Sequence, residues 1–228
     1  MEFLQTILDF FLNLDQHLFT MIIDYGVWIY LILFLIIFVE TGLVVMPFLP
    51  GDSLLFAAGT FCAGVIGATG ETANLNLWLV LLILLAAAIL GDTCNYLLGE
   101  KLGLKMLNWK VNGKPLVNPK YIAQTQDFYE KNGPKTIIIA RFVPIVRTFA
   151  PFVAGIGSMH YSTFIRYNVI GGFVWVVGLT LLGYFFGNIP FVQQNFEVVI
   201  FGIIGLSLLP MVWEYINMKF LKKNSEVQ

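Results

Sequence analysis

Every residue from Val27 to Val39 is apolar, and long, mainly apolar stretches recur over residues 77–98, 164–186 and 196–216. A helix needs about 20 such residues to cross the hydrocarbon core, so these last three predict full transmembrane helices. None of them alternates with the two-residue period of a transmembrane barrel strand. The predicted class is therefore all-α integral membrane. Residues 1–25 read differently, with Leu4, Ile7, Leu8, Phe11, Leu18 and Ile22 at helical spacing among Glu2, Gln5, Asp9, Gln16 and Thr20. That pattern predicts an amphipathic interfacial helix, too charged to span.

Two further apolar stretches are interrupted. Over residues 27–62 the run meets Glu40, passes Pro47 into PFLPGD, and resumes as SLLFAAG after Asp52. Over residues 135–158 two arginines, Arg141 and Arg147, and two prolines, Pro144 and Pro151, stand in an otherwise apolar segment. A proline leaves a helical carbonyl without its partner, and an arginine near the bilayer centre costs roughly 2.5–3.5 kcal/mol. Broken backbone at membrane depth is tolerated where it is buried in protein or lines a watery cavity. Each stretch is read as a re-entrant hairpin, with Pro47, Pro50 and Gly51 breaking the first, and Pro144 and Pro151 the second. For the first, a full span over 26–46 followed by a half-helix is an alternative.

Composition narrows the class further. With 58% hydrophobic and 12% charged residues, and no polar stretch long enough for a separate soluble domain, residues 26–218 predict one membrane domain. The net charge of −1 conceals an asymmetry: all thirteen Lys and Arg fall at or after Lys101, seven of them lysines between Lys101 and Lys135. By the positive-inside rule the loop 100–133 and the basic tail 219–228 are cytoplasmic, and nucleic acid is not implied. Within that loop, Asn118-Pro119 reads as a helix start and Gly133-Pro134 as its stop. The amino end, with Glu2 and no basic residue, does not resemble a secretory signal. Cys62 and Cys94 have no metal-binding spacing and read as packing residues.

The interrupted stretches also resemble each other. Glu40 stands ten residues before Pro50 and Arg141 ten before Pro151, and each proline leads to an Ala-Gly pair, at Gly59 and Gly155. The first unit would lead into an inward span and the second into an outward one, which is an inverted repeat. It brings Glu40 and Asp52 on one hairpin to Arg141 and Arg147 on the other, with Asp92 on the span between. Unpaired, five such charges would cost on the order of 12–17 kcal/mol, so they must meet each other or water. They could simply tie the hairpins together. A guanidinium also offers forked donors suited to phosphate, and half-helix amino ends add positive dipole, so Arg141 and Arg147 are candidate phosphate ligands. Glu40, Asp52 and Asp92 are candidate proton-coupling acids. Asp92 is expected a turn or two from the cytoplasmic end of its span, where it caps or pairs with loop lysines, or points into the arginine cavity. A membrane phosphatase would need a histidine beside the arginines, and neither His17 nor His160 has that spacing, so no enzyme, cofactor or metal is expected.

The motifs FVETGLVVMPFLPGDSLL (38–55), LGDTCNYLLGEKLG (90–103), FYEKNG (128–133) and ARFVPIVRTFAPFVAG (140–155) resemble those of the DedA family of bacterial inner-membrane proteins, within the VTT-domain superfamily. The likeness extends over about residues 26–191. It implies a lipid transporter or flippase, dependent on proton motive force, that returns undecaprenyl phosphate to the cytoplasmic leaflet in support of the envelope. It also implies that Glu40 and Asp52 are essential acids and Arg141 and Arg147 essential bases. Another phospholipid or a small solute or cation is the alternative cargo. Protons, membrane and an anionic lipid are the implied partners, and homo-oligomerisation is left open.

Overall fold

The computed structural model describes residues 14–43, 51–66, 72–108, 110–111, 114–115, 119–187 and 189. Expectations for residues 1–13, Pro47, Pro50, the span 196–216 and the tail 219–228 lie outside the described residues.

The described chain is helical apart from two minimal hairpins. Helix α1 (Leu14–Tyr25) ends at Gly26, whose φ of +51° suits a residue without a side chain, and α2 (Trp28–Gly42) follows at once. Leu43 is extended and ends α2, and α3 (Gly51–Cys62) begins beyond the break. Strands β1 (Val65–Ile66) and β2 (Thr72–Ala73) pair antiparallel, Val65 opposite Ala73. Helix α4 (Leu77–Asn108) is capped by Asn76, whose Oδ1 accepts the Leu79 N–H at 3.1 Å. It starts where the sequence predicts and runs ten residues past the predicted end at 98. Gly99 and Gly103 do not stop it, because a neighbouring helix packs onto both.

The described residues of the loop 100–133 thus fall in regular elements. The loop holds the end of α4, the pair β3 (Lys110–Val111) and β4 (Lys114–Pro115), and α5 (Pro119–Asn132), with proline at the first helical position as the sequence predicts. Gly133, at φ +57°, turns the chain into a short 3-10 segment and α6 (Thr136–Ala140). Residues 141–143 form a turn, and Val143 is extended as a residue before proline must be. Helix α7 (Pro144–Ile156) ends in a Schellman arrangement around Ser158, at φ +53°, with the Met159 N–H donating to the Ala154 carbonyl at 3.0 Å. Helix α8 (Tyr161–Gly187) completes the described chain.

Pro144 sits at the break, as expected. Pro151 does not break the second hairpin: α7 continues through it. The carbonyl that loses its helical N–H to a proline is the one four residues upstream, here that of Arg147, and the carbonyls beside it tie α7 to its neighbours. The Thr148 carbonyl, three residues upstream, accepts the side-chain amide of Asn95 at 2.9 Å, and the Ala150 carbonyl accepts the Tyr129 hydroxyl at 2.9 Å.

The helices pack in a crossed exchange. The second helix of each interrupted unit lies along the long helix of the other, α3 on α8 and α7 on α4, while α2 lies on α4 and α6 on α8. Glycines permit the approach. A Cβ on Gly59 would stand 2.9 Å from the Thr180 carbonyl carbon and from the Tyr184 nitrogen, and one on Gly155 would stand 2.7 Å from the Glu100 nitrogen. Opposite them, Gly183 faces Phe56 and Gly99 faces Phe152. Small residues let helix backbones touch where lipid offers no hydrophobic drive for packing. Inside lies a core around Leu33, Leu55, Phe61, Leu84 and Val176. Outside, Trp28, Leu82, Phe173 and Phe185 are exposed, as on a lipid-facing surface. Two described segments, Leu77–Gly103 and Tyr161–Gly187, are long and apolar enough to cross a membrane.

Candidate functional site

Five charges from five different elements converge in the interior. Glu40 lies in the last turn of α2 and Asp52 in the first turn of α3. Asp92 lies midway along α4, four turns before its end rather than one or two, because α4 is longer than predicted. Arg141 opens the turn after α6, and Arg147 follows Pro144 by three residues in the first turn of α7. Both interrupted units therefore place their charges at the break, where the helix ends bring unsatisfied backbone groups with them.

Arg147 spans the two carboxylates of the first unit. Its Nη1 donates to Asp52 Oδ1 at 2.9 Å and its Nη2 to Glu40 Oε1. The Glu40 carboxyl packs against the backbone of Gly51, at the amino end of α3, in space that any side chain at 51 would occupy. That helix end favours negative charge. Gly51, expected to break the hairpin, is thus also what admits Glu40.

Arg141 forms a second, deeper pair. Its Nη2 donates to Asp92 Oδ2 at 2.5 Å and to Asn168 Oδ1 at 2.6 Å. The Asn168 amide donates in turn to the Ile89 carbonyl at 3.1 Å, which fixes which way the side chain points. Between the two expected roles for Asp92, pairing with loop lysines or facing the arginines, the structure places it with the arginines. Gly171 and Gly172 leave the room Arg141 occupies: a Cβ on Gly171 would stand 3.1 Å from its Nε.

The two sets are joined by groups that the reading of charges and breaks passed over. Asn95, one turn beyond Asp92, donates to the Thr41 carbonyl at 3.1 Å and to that of Thr148 at 2.9 Å, so one amide ties both interrupted units to α4. Trp175 places its ring 4.8 Å from the Arg147 guanidinium and 5.6 Å from that of Arg141, and its indole N–H donates to Asp52 Oδ1 at 2.8 Å. Polar residues inside apolar spans were a signal for Asn95 and Asn168. Nothing in the apolar run around Trp175 set it apart.

The site is closed. Lined by Glu40, Thr41, Asp92, Arg141, Arg147, Thr148 and Trp175, it holds about 10 Å3, room for one water molecule. Exposure is graded across it: the Asp52 side chain is 25% exposed and Arg147 13%, against 3% for Glu40 and 6% for Arg141. The Asp52–Arg147 side is the more accessible part of the cluster. Three carboxylates face two guanidiniums, so the fully ionised cluster carries an excess negative charge.

Residues 49–185 match the VTT domain. Protein DedA of Escherichia coli (strain K12) is 52% identical over 219 residues, 96% of each chain. An uncharacterized membrane protein of Mycobacterium leprae is 42% identical over 175 residues, 77% of this chain and 74% of that one. Inner membrane protein YqjA of Escherichia coli (strain K12) is 34% identical over 186 residues, 81% and 78% of the two chains. No solved structure gives a significant match. With a matched domain that takes in Asp52, Asp92, Arg141 and Arg147, and a relative 52% identical over 96% of the chain, the chain belongs to the DedA family of membrane proteins.

Proposed function

We propose that the protein is a proton-coupled transporter of an anionic lipid, with undecaprenyl phosphate as its cargo, in a bacterial inner membrane. The observation that carries this reading is the Arg147 fork, held by two carboxylates from the other interrupted unit. A phosphate monoester presents the same oxygen geometry to a guanidinium and could replace them. Replacement requires that the cluster lose negative charge first, since three ionised carboxylates around two guanidiniums would repel an anion. Protonation of a carboxylate and arrival of phosphate are thereby coupled, and Asp52, the most accessible acid, is the first to be exchanged.

In this reading the interrupted units are re-entrant hairpins of inverted topology. Arg141 and Arg147 grip the headgroup, and Glu40, Asp52 and Asp92 carry protons. The isoprenoid tail stays in the bilayer, and the loop 100–135 and carboxyl end face the cytoplasm. The test is movement of undecaprenyl phosphate between leaflets of proteoliposomes under an imposed pH gradient. Wild type is expected to move it, Arg147→Ala to lose movement, and Glu40→Gln to move it without regard to the gradient. Wild-type movement no faster than in empty liposomes, alongside passage of a small solute, would overturn the lipid assignment.

A further inference from the structure

We propose that Trp175 is the positioning residue of the anion site, holding the Arg147 guanidinium in place and offering the displaced Asp52 carboxylate a donor while a phosphate-class anion takes the fork. The inference rests on the reading of the cluster as an anion site and adds to it a residue outside the charged set.

Trp175 is 2% exposed and lies on the face of α8 that also carries Asn168 and Gly172, at spacings of seven and three residues. That face is turned to the arginines: Asn168 accepts from Arg141, and a Cβ on Gly172 would stand 3.6 Å from Arg141 Nη2. The ring is the one uncharged group in contact distance of both guanidiniums, among the described residues, and it lies nearer the more accessible of the two. Its N–H donates to the same oxygen, Asp52 Oδ1, that Arg147 Nη1 holds.

This arrangement matters because the site is full. With room for one water, an anion of phosphate size enters the Arg147 fork only as the carboxylates leave it. At that moment two groups lose a partner. Asp52 has the indole N–H as a donor that the anion does not compete for. Arg147 keeps the ring face, which attracts a desolvated cation and holds the guanidinium plane from swinging. A side chain present only to fill space would supply neither.

The test uses the full chain in detergent and in proteoliposomes, with undecaprenyl phosphate and, in parallel, inorganic phosphate as ligands; binding of either counts as occupancy of the fork, and the pair shows whether the headgroup alone suffices. Trp175→Phe keeps a ring and removes the N–H, so dissociation constant and KM should rise on the order of tenfold, the loss of a hydrogen bond to a charged group. Its unfolding midpoint should fall as well, since the bond to Asp52 is present without ligand, so the rise in dissociation constant is the readout that a purely structural role would not produce. Trp175→Leu, without ring or donor, should weaken binding several-fold more. Wild-type binding that Trp175→Phe leaves unchanged, or a variant that loses only stability and kcat, overturns the positioning role and leaves the transport reading standing. Wild type that binds neither ligand overturns the transport reading and this one with it. Should Trp175→Phe fail to fold, the chain with Trp28, Trp78, Trp109 and Trp213 changed to Phe isolates the emission of Trp175. That emission should shift on ligand binding, and an emission unchanged at saturating undecaprenyl phosphate overturns the proposal.

Discussion

The Arg141–Asp92 pair can be asked whether it serves structure alone. Both side chains are almost fully enclosed, at 6% and 7% exposure, and the guanidinium has one further acceptor in Asn168. Removing one partner of a buried pair leaves an uncompensated charge and costs about 3–5 kcal/mol. Asp92→Leu should fall at the low end, about 3 kcal/mol, because Asn168 still accepts from Arg141. Arg141→Leu should cost about 4 kcal/mol, since both Asp92 and Asn168 lose their donor. The double variant removes both charges and leaves mainly the Asn168 oxygen unpaired, about 1–3 kcal/mol. The three numbers are far from additive, and that coupling is the prediction. The assay is unfolding of purified protein in mixed micelles by a rising fraction of dodecyl sulfate, followed by helical circular dichroism, with the transport assay run on each variant. A double variant as unstable as the two single losses summed would refute the pairing. A double variant that folds and still moves lipid would confine Arg141 to a structural role and leave Arg147 as the anion ligand.

Two glycine substitutions should act in opposite directions in the same unfolding assay. Gly99→Ala, whose Cβ would stand 2.9 Å from the Phe152 carbonyl carbon, should cost about 1–3 kcal/mol, whereas Gly178→Ala, with nothing within 4 Å, should be neutral or stabilise by up to about 1 kcal/mol. Tyr129, outside the spans on α5, is pushed well above its ordinary range by burial, with Asp92 adding to the effect, and donates to the Ala150 carbonyl as a neutral phenol. Its folded value lies above its unfolded value of 10.0, so its contribution is present below about pH 10 and lost as pH rises from there. Wild type should therefore lose stability more steeply than Tyr129→Phe in unfolding curves between about pH 10 and 11, and parallel curves would refute it.

Residue pattern alone determined the membrane class, the long helices starting at Leu77 and ending near Gly187, the two interrupted units, and the identity of the five buried charges. These follow from local physics: about 20 apolar residues per crossing, proline at breaks, and a cost for unpaired charge that obliges acids and bases to meet. Local pattern misjudged Pro151, because a proline costs a helix one bond and need not end it where packing holds the helix on both sides, as α4 and α5 hold α7 through residues such as Asn95, 53 positions from its partner Thr148. It ended α4 too early because the polar residues after Leu98 read as loop, while Gly99 and Gly103 in that stretch serve a close contact with α7. Which acid meets which base was equally a matter of tertiary structure. The crossed packing sets Glu40 and Asp52 on Arg147 and Asp92 on Arg141, a pairing decided by where four helices cross. Trp175 shows the limit most plainly. In sequence it is one aromatic in an apolar run, and only the fold turns its face to two guanidiniums and its N–H to Asp52.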